Sequence, residues 1–277
     1  MPELPEVETI RAQLEDDLVG RRIDEAWAFP SAKFDEAPAA IGASVLSLGR
    51  RGKYLIAALS MGGDRDGAHD GELVVHLGMT GRLAVDARPL TGDDEPHLRV
   101  AWRLDDGRRL SFTDVRRFGR IAVVPAGEHD RLPTLAALGP EPFDDEFTAE
   151  RLRRSVNASR RHVKTQLLSQ RVVAGVGNIY ADEALWRAGV HPRSRRLTRS
   201  AAGALRDGIR SALADGIDHG GTTLRDYRNA LGGEGRHQFA LDCYGRAGQP
   251  CRRCGTVLRR TVVDARTTTF CAECQRR

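Results

Sequence analysis

The chain has 277 residues, 40% of them hydrophobic, and carries 43 Lys plus Arg against 38 Asp plus Glu for a formal net charge of +5. That apolar content supports packed cores and excludes wholesale disorder, and the length suggests about two domains. No apolar run reaches the roughly 18–20 residues of a membrane span. The acidic opening Met1-Pro2-Glu3-Leu4-Pro5-Glu6 also lacks the basic and apolar regions of a secretory signal, so a cytoplasmic setting is expected.

The mean charge hides an asymmetry. Residues 1–150 sum to −10 and residues 151–277 to +15. Such a split suggests that the second half faces a polyanion, although two solvated surfaces that drifted apart would also give it.

In chain order, Val7, Ile10, Leu14 and Leu18 recur at helical spacing. Glu3, Glu6 and Glu8 fall in the first turn, where the macrodipole favours anions, and Gly20 should end the helix. From 21 to 124 the pattern changes to short apolar runs, among them Lys53–Ile56, Leu73–Leu77, Leu98–Trp102 and Ile121–Val124, which predict a β-sandwich or barrel. Pro125, Pro133, Pro140 and Pro142, with the acidic run Asp144-Asp145-Glu146, mark a boundary. Helical patterns follow over about 148–156, 162–170, 178–188 and 198–216, stopped by Gly220-Gly221. A Gly-rich irregular stretch then leads to a cysteine cluster.

Cys251-x2-Cys254 and Cys271-x2-Cys274, with sixteen residues between the pairs, match a four-thiolate zinc site. Each pair brings two sulfurs onto one turn, and the intervening residues can form a β-hairpin. Four thiolates leave no open coordination position, so one structural Zn2+ is expected rather than a catalytic one. The competing reading is a redox dithiol pair. Seven arginines surround the cluster (Arg252, Arg253, Arg259, Arg260, Arg266, Arg276 and Arg277), and a basic zinc hairpin suits phosphate or groove recognition.

Gly175-Val176-Gly177-Asn178 lies between two helical patterns, where glycines before a helix start can aim backbone N–H groups at a phosphate. An ordinary glycine turn explains the same residues. At the N-terminus, a Met followed by proline is readily trimmed, which would expose a secondary amine at Pro2. An α-amino group with a pKa near 8 is partly unprotonated at neutral pH and can form a Schiff base. Glu3 stands beside it as acid or base. A proline merely suited to a helix's first turn is the plainer alternative.

Together these residues resemble the formamidopyrimidine-DNA glycosylase family. The resemblance rests on Met1-Pro2-Glu3-Leu4-Pro5-Glu6-Val7-Glu8-Thr9, Arg50-Arg51-Gly52-Lys53-Tyr54-Leu55, His76-Leu77-Gly78-Met79-Thr80-Gly81 and Thr113-Asp114-Val115-Arg116-Arg117-Phe118-Gly119. It continues through Leu138-Gly139-Pro140-Glu141-Pro142, Gly175–Ala181, Gly220–Asp226 and the zinc cluster, in order over the whole chain. The opening Glu-Leu-Pro-Glu resembles the oxidised-purine branch rather than the endonuclease VIII-like one.

The resemblance implies an α+β multidomain fold: an N-terminal β-sandwich with a leading helix, a helix–two-turn–helix domain and a C-terminal zinc-finger β-hairpin. The expected division is a catalytic domain at 1–125, a linker at 126–147 and a helix–two-turn–helix domain at 148–228. A segment covering the flipped base at 229–245 and a zinc finger at 246–277 complete it. It further implies a bifunctional glycosylase and lyase, monomeric and nucleoid-associated, whose partner is double-stranded DNA containing oxidised purines. By the same resemblance Pro2 is the nucleophile, Glu3 and Lys53 move protons, and Arg266 reaches phosphate during the second elimination. Met79, Arg116 and Phe118 fill the void left by the extruded base, while Asn178, Lys164, Arg160 and His97 contact DNA. Taken alone, Met79 and Phe118 read as core packing, and Arg116, Lys53 and Arg266 as surface charges.

Four places depart from the family pattern: Ser169 where an acidic residue is common, Glu95 where a histidine is usual, Cys243 where a valine is usual, and the stretch Gly232–His237. The charge asymmetry adds an expectation. Arg50, Arg51, Lys53, Arg116, Arg117 and Arg120 should line the face that meets DNA, with Asp64, Asp66, Asp70 and Asp144–Glu146 turned away. Two alternatives remain: the same chemistry on oxidised pyrimidines, or a non-catalytic zinc-finger protein that binds damaged DNA.

Overall fold

The computed structural model describes residues 1–62, 69–91 and 95–276, so Asp64, Asp66 and Arg277 lie outside the described residues. The chain packs as two units, Met1–Ala136 with Gly220–Gly235, and Ala137–His219 with Arg236–Arg277. The zinc hairpin and the helices before it therefore share one unit, and 220–235 packs with the N-terminal one.

In the first unit, helix α1 (Leu4–Leu18) leads into β1 (Ile23–Ala28), β2 (Ser44–Arg51), β3 (Tyr54–Ser60) and β4 (Gly71–His76). Strands β5 (Gly81–Asp86), β6 (Leu98–Leu104), β7 (Arg109–Asp114) and β8 (Arg120–Pro125) follow, then the short helix α2 (Pro133–Ala136). The strands form two four-stranded antiparallel sheets, ordered β1-β6-β7-β5 and β2-β3-β4-β8. Val45, Leu55, Leu73 and Ile121 of one sheet share a core with Leu83, Trp102, Leu110 and Phe112 of the other. Val7, Ile10, Leu14 and Leu18 join it from α1. Each such side chain, fully buried, contributes about 1.5–3 kcal/mol. The Trp102 indole satisfies its N–H on the Ala37 carbonyl at 3.0 Å.

The second unit contains α3 (Ala149–Asn157), α4 (Val163–Leu168), α5 (Asn178–Arg187) and α6 (Arg199–Asp218), then the hairpin β9 (Arg259–Val263) and β10 (Arg266–Phe270). Thr148 and Thr198 cap α3 and α6, each hydroxyl accepting a backbone N–H at 3.1 Å. The hairpin closes with the two-residue turn Asp264-Ala265, both at positive φ (44° and 59°), the geometry whose twist matches paired strands. Among the described residues no helix is long and apolar enough to cross a membrane.

Candidate active site and nucleic-acid interface

Pro2 and Glu3 are buried at the head of α1, with Glu3 as its N-cap. Glu6, one turn on, holds this end in place. Its Oε2 accepts the Glu3 N–H at 2.7 Å, as in a capping box, and its Oε1 accepts the Thr222 N–H at 2.7 Å. The Tyr227 hydroxyl donates to the Glu6 carbonyl at 3.4 Å, so the 220–235 segment is fastened to the turn of helix that follows Pro2. Gly221 permits this approach: it sits at φ +85°, and a Cβ there would meet the Glu6 Cγ at 2.9 Å.

Lys53 occupies the turn between β2 and β3, where Arg51 pairs with Tyr54, and is only 6% exposed. Its charge acts on His76 at the end of β4. Burial, helped by Lys53, lowers the His76 pKa to about 4. The imidazole is thus neutral at pH 7, and its Nδ1 accepts the Gly78 N–H at 3.3 Å, leaving the proton on Nε2. His76 stands inside one of the sequence motifs, but sequence reasoning does not single it out. The available signal is its position, one turn before Met79.

Met79 and Phe118 are 39% and 49% exposed, on two loops that meet. Backbone at Gly78 comes so close to Phe118 that a Cβ there would lie 2.5 Å from the Phe118 carbonyl carbon. Asp114, wholly buried, ties both loops together. Its carboxylate accepts the Gly119 N–H at 2.7 Å, the Arg116 N–H at 3.2 Å and the Thr80 hydroxyl. The Arg116 guanidinium lies 4.8 Å from the Phe118 ring centroid. Exposed apolar side chains on an anchored polar scaffold are poor core residues, so the core-packing reading of Met79 and Phe118 fails. His97 is exposed and its carbonyl accepts the Asp114 N–H at 2.9 Å.

In the second unit, Gly177 is the N-cap of α5 and Asn178 its first residue. Gln170, itself at φ +64°, holds the preceding loop by accepting the Gly175 N–H at 2.8 Å and donating to the Val176 carbonyl. Asn178 Nδ2 donates to the Thr267 carbonyl at 3.1 Å, beside Arg266, which is exposed at the start of β10. Arg160 is exposed after α3. Lys164 corrects the sequence expectation of a DNA contact: it is fully buried. Its Nζ pairs with Asp182 at 2.6 Å and donates to Thr268 Oγ1 at 2.8 Å and the Thr267 carbonyl at 3.2 Å. Asp182 also accepts the Thr269 N–H at 2.9 Å. The next residue, Glu183, accepts the N–H groups of Asp242, Cys243 and Tyr244 at 2.8–3.0 Å. Burial raises the Glu183 pKa despite these donors.

The departures from pattern find structural partners. Glu95 and Asp86 hold the wholly buried Arg109 guanidinium, Glu95 at 2.5 Å and Asp86 at 3.0 Å. Cys243 is buried and donates its thiol to the Thr269 carbonyl at 3.2 Å, with burial pushing its pKa up. It packs as a small hydrophobe with one polar contact. Ser169 C-caps α4, and its hydroxyl donates to the Gln166 carbonyl at 2.6 Å.

The sulfurs of Cys251, Cys254, Cys271 and Cys274 all lie within 4.8 Å of one another. Tetrahedral zinc at about 2.3 Å from each sulfur needs S···S separations of about 3.8 Å, so the four thiolates fit one structural Zn2+. The Trp186 indole donates to Cys251 Sγ at 3.3 Å, and Arg253 stacks 4.4 Å from that ring. Gln275 donates to the Val190 carbonyl at 3.0 Å, docking the cluster beside the end of α5.

Comparison with known proteins identifies the family. Residues 1–121 match the formamidopyrimidine-DNA glycosylase N-terminal domain, 138–228 its H2TH domain, and 248–277 the zinc finger found in FPG and IleRS. The formamidopyrimidine-DNA glycosylase of Deinococcus radiodurans is 44% identical over 99% of this chain and 97% of its own length. The Bacillus licheniformis enzyme of the same name is 40% identical over the full length of both. Among solved structures, the MutM (Fpg) protein of Thermus thermophilus matches with a TM-score of 0.87 at 42% identity, covering 99% of this chain and 98% of that one. The Lactococcus lactis Fpg, in complex with an abasic site containing DNA, matches at 0.86 and 34% identity, over 99% of this chain and 100% of that one. This chain belongs to the formamidopyrimidine-DNA glycosylase family.

Proposed function

We propose that this chain is a bifunctional DNA glycosylase and lyase that excises oxidised purines from duplex DNA, acting as a monomer on the nucleoid. One observation carries the reading: the Pro2–Glu3 pair is buried and fastened on both sides through Glu6, which a protein that only binds DNA does not need. Removal of Met1 frees the Pro2 amine. The damaged nucleotide is flipped out at a cost of a few kcal/mol, with Met79, Arg116 and Phe118 entering the space it leaves. The amine attacks the deoxyribose anomeric carbon, the base departs, and Glu3 assists proton transfer at the sugar as its ring opens to an iminium.

Electron withdrawal by the iminium acidifies the adjacent sugar proton. Its loss expels the 3′ phosphate, and a second elimination expels the 5′ phosphate. Lys53 supplies a proton during this phase, and Arg266 holds phosphate for the second step. Asn178 and the α5 N-terminus grip the backbone. Zinc, held by Cys251, Cys254, Cys271 and Cys274, keeps the hairpin that carries Arg266 folded.

Borohydride reduction in the presence of an 8-oxoguanine:cytosine duplex should trap a covalent complex on Pro2, and Pro2→Gly should abolish most of it. Mass spectrometry verifies Met1 removal in the same sample. A Met1-processed protein that cleaves without trapping, or traps elsewhere than Pro2, overturns the mechanism. A panel with thymine glycol separates purine from pyrimidine preference.

A further inference from the structure

The second unit contains a recess of about 840 Å³ walled by His162 and by Arg193, Arg195 and Arg196 on one side, and by Val262 and Asp264 of the hairpin on the other. None of these residues takes part in the mechanism above. The segment from His191 to Arg199 carries four arginines and no acidic residue.

The two sides of the recess are fixed to each other. Arg193 Nη2 donates to Thr261 Oγ1 at 2.7 Å and to the Val262 carbonyl at 3.1 Å. The His162 ring bonds the Arg193 carbonyl at 3.0 Å, and the Val163 N–H donates to the Ser194 carbonyl at 2.7 Å. The single carboxylate of the lining, Asp264, is engaged by the Thr165 hydroxyl. Arg195 and Arg196 are different: both are exposed and form no ion pair or side-chain hydrogen bond with any described residue. Two adjacent, unengaged guanidinium forks are matched in shape and charge to phosphate oxygens.

We propose that this recess is a second nucleic-acid backbone site, in which Arg195 and Arg196 engage phosphodiester groups outside the lesion-centred contacts. The proposal rests on DNA being the substrate. Three features favour a polymer over a small anion. The arginines are exposed rather than enclosed, and Val262, 55% exposed, offers an apolar surface to a deoxyribose face. The hairpin turn that borders the recess also runs directly into Arg266, so a phosphate track can continue from one to the other.

Each neutralised phosphate adds about 0.9 to the slope of log affinity against log salt. The double variant Arg195→Gln/Arg196→Gln should therefore lower the slope on a long undamaged duplex by about 2. Cleavage of a short lesion duplex should remain at the wild-type rate, and Arg195→Lys/Arg196→Lys should restore the slope. An unchanged slope overturns the proposal, as does a parallel loss of cleavage on the short duplex, which would place these arginines in the lesion contacts. Thermal stabilisation by inorganic phosphate that depends on both arginines, without any change in slope, would make it a free-anion site and also overturn the proposal. Wild-type cleavage tests the catalytic reading separately, because the slope is read on undamaged DNA.

Discussion

Removing the Lys164 ammonium tests whether the buried polar network holds the zinc hairpin against the helices. Lys164 is wholly buried and Asp182 is 1% exposed, and their side chains meet at 2.6 Å. Lys164→Met keeps most of the packing volume but leaves the Asp182 carboxylate in the interior with its Thr269 N–H donor alone. Stranding one member of such a pair costs about 3–5 kcal/mol, a large share of the roughly 5–15 kcal/mol that stabilises a typical domain. Lys164→Met/Asp182→Asn removes the stranded charge and retains an acceptor for Thr269 N–H. It should therefore be more stable than Lys164→Met by about 2 kcal/mol.

The assay is urea unfolding of the zinc-loaded protein, the double variant and each single variant (Lys164→Met and Asp182→Asn), read as a double-mutant cycle. A functional readout accompanies it. The Thr267 carbonyl receives both Lys164 Nζ and Asn178 Nδ2, so Lys164→Met should loosen the start of β10 and slow the 5′ elimination proposed for Arg266 more than the 3′ one. Stability changes that add to within about 0.5 kcal/mol would refute the coupling, since independent sites add to that accuracy. An unchanged ratio of the two elimination products would refute the link to Arg266.

Chelating zinc should unfold the β9–β10 hairpin and abolish DNA affinity while the sandwich keeps its strand content, as followed by circular dichroism and binding. Ala265 sits at φ +59°, where a Cβ costs about 1–2 kcal/mol. Ala265→Gly should raise stability by up to about 1 kcal/mol, partly offset by the greater freedom of glycine in the unfolded chain, and a lowered denaturation midpoint would contradict the turn assignment. Hydrogen bonds from Arg109 hold the Glu95 carboxyl below its ordinary value. Its contribution to stability is therefore full above the ordinary carboxylate range and is lost as pH falls through the lowered value. Glu95→Gln should cost about 1.5–3 kcal/mol at pH 7 and flatten the acid limb of the stability profile. An unaltered acid limb would show that Glu95 does not carry that dependence.

Most of the element pattern is legible where one side-chain period rules. The α1 stripe and the runs inside β3, β4, β6 and β8 show it, because one apolar face per element suffices to locate them. Strands β1, β2, β5 and β7 are harder, since charged residues such as Arg50, Arg82 and Arg109 interrupt their alternation. Arg109 lies in the interior only because Asp86 and Glu95 neutralise it, and those partners come from other segments. Lys164 misleads for the same reason. A lysine among arginines reads as a phosphate contact, and nothing local reveals that Asp182, eighteen residues on, takes its charge. The zinc site is legible because ligand spacing is itself the signal. His76 is not, because its neutrality comes from burial and Lys53 rather than from its neighbours in sequence.

The negative first half poses an electrostatic difficulty for a domain meant to meet DNA, and its ion pairs largely resolve it. Glu8 is shared by Arg11 and Arg50, Asp17 binds Arg108, Asp105 and Asp106 face Arg21, and Asp86 and Glu95 take Arg109 and Arg88. Arg50, expected in the row of DNA-facing cations, has its charge compensated by Glu8 at 2.9 Å. Arg116, Arg117 and Arg120, by contrast, are exposed and form no ion pair with a described residue. A carboxylate already matched by an arginine forms a compact neutral pair whose field dies off close to it, whereas an unmatched guanidinium acts over a full Debye length of about 8–10 Å. The potential near Met79 and Phe118 is therefore set by these unpaired arginines rather than by the net charge of the domain. Neutralising Arg116 and Arg117 should weaken DNA binding, measured by titration at fixed salt, far more than removing the charge at Arg108, and equal losses would refute this local control.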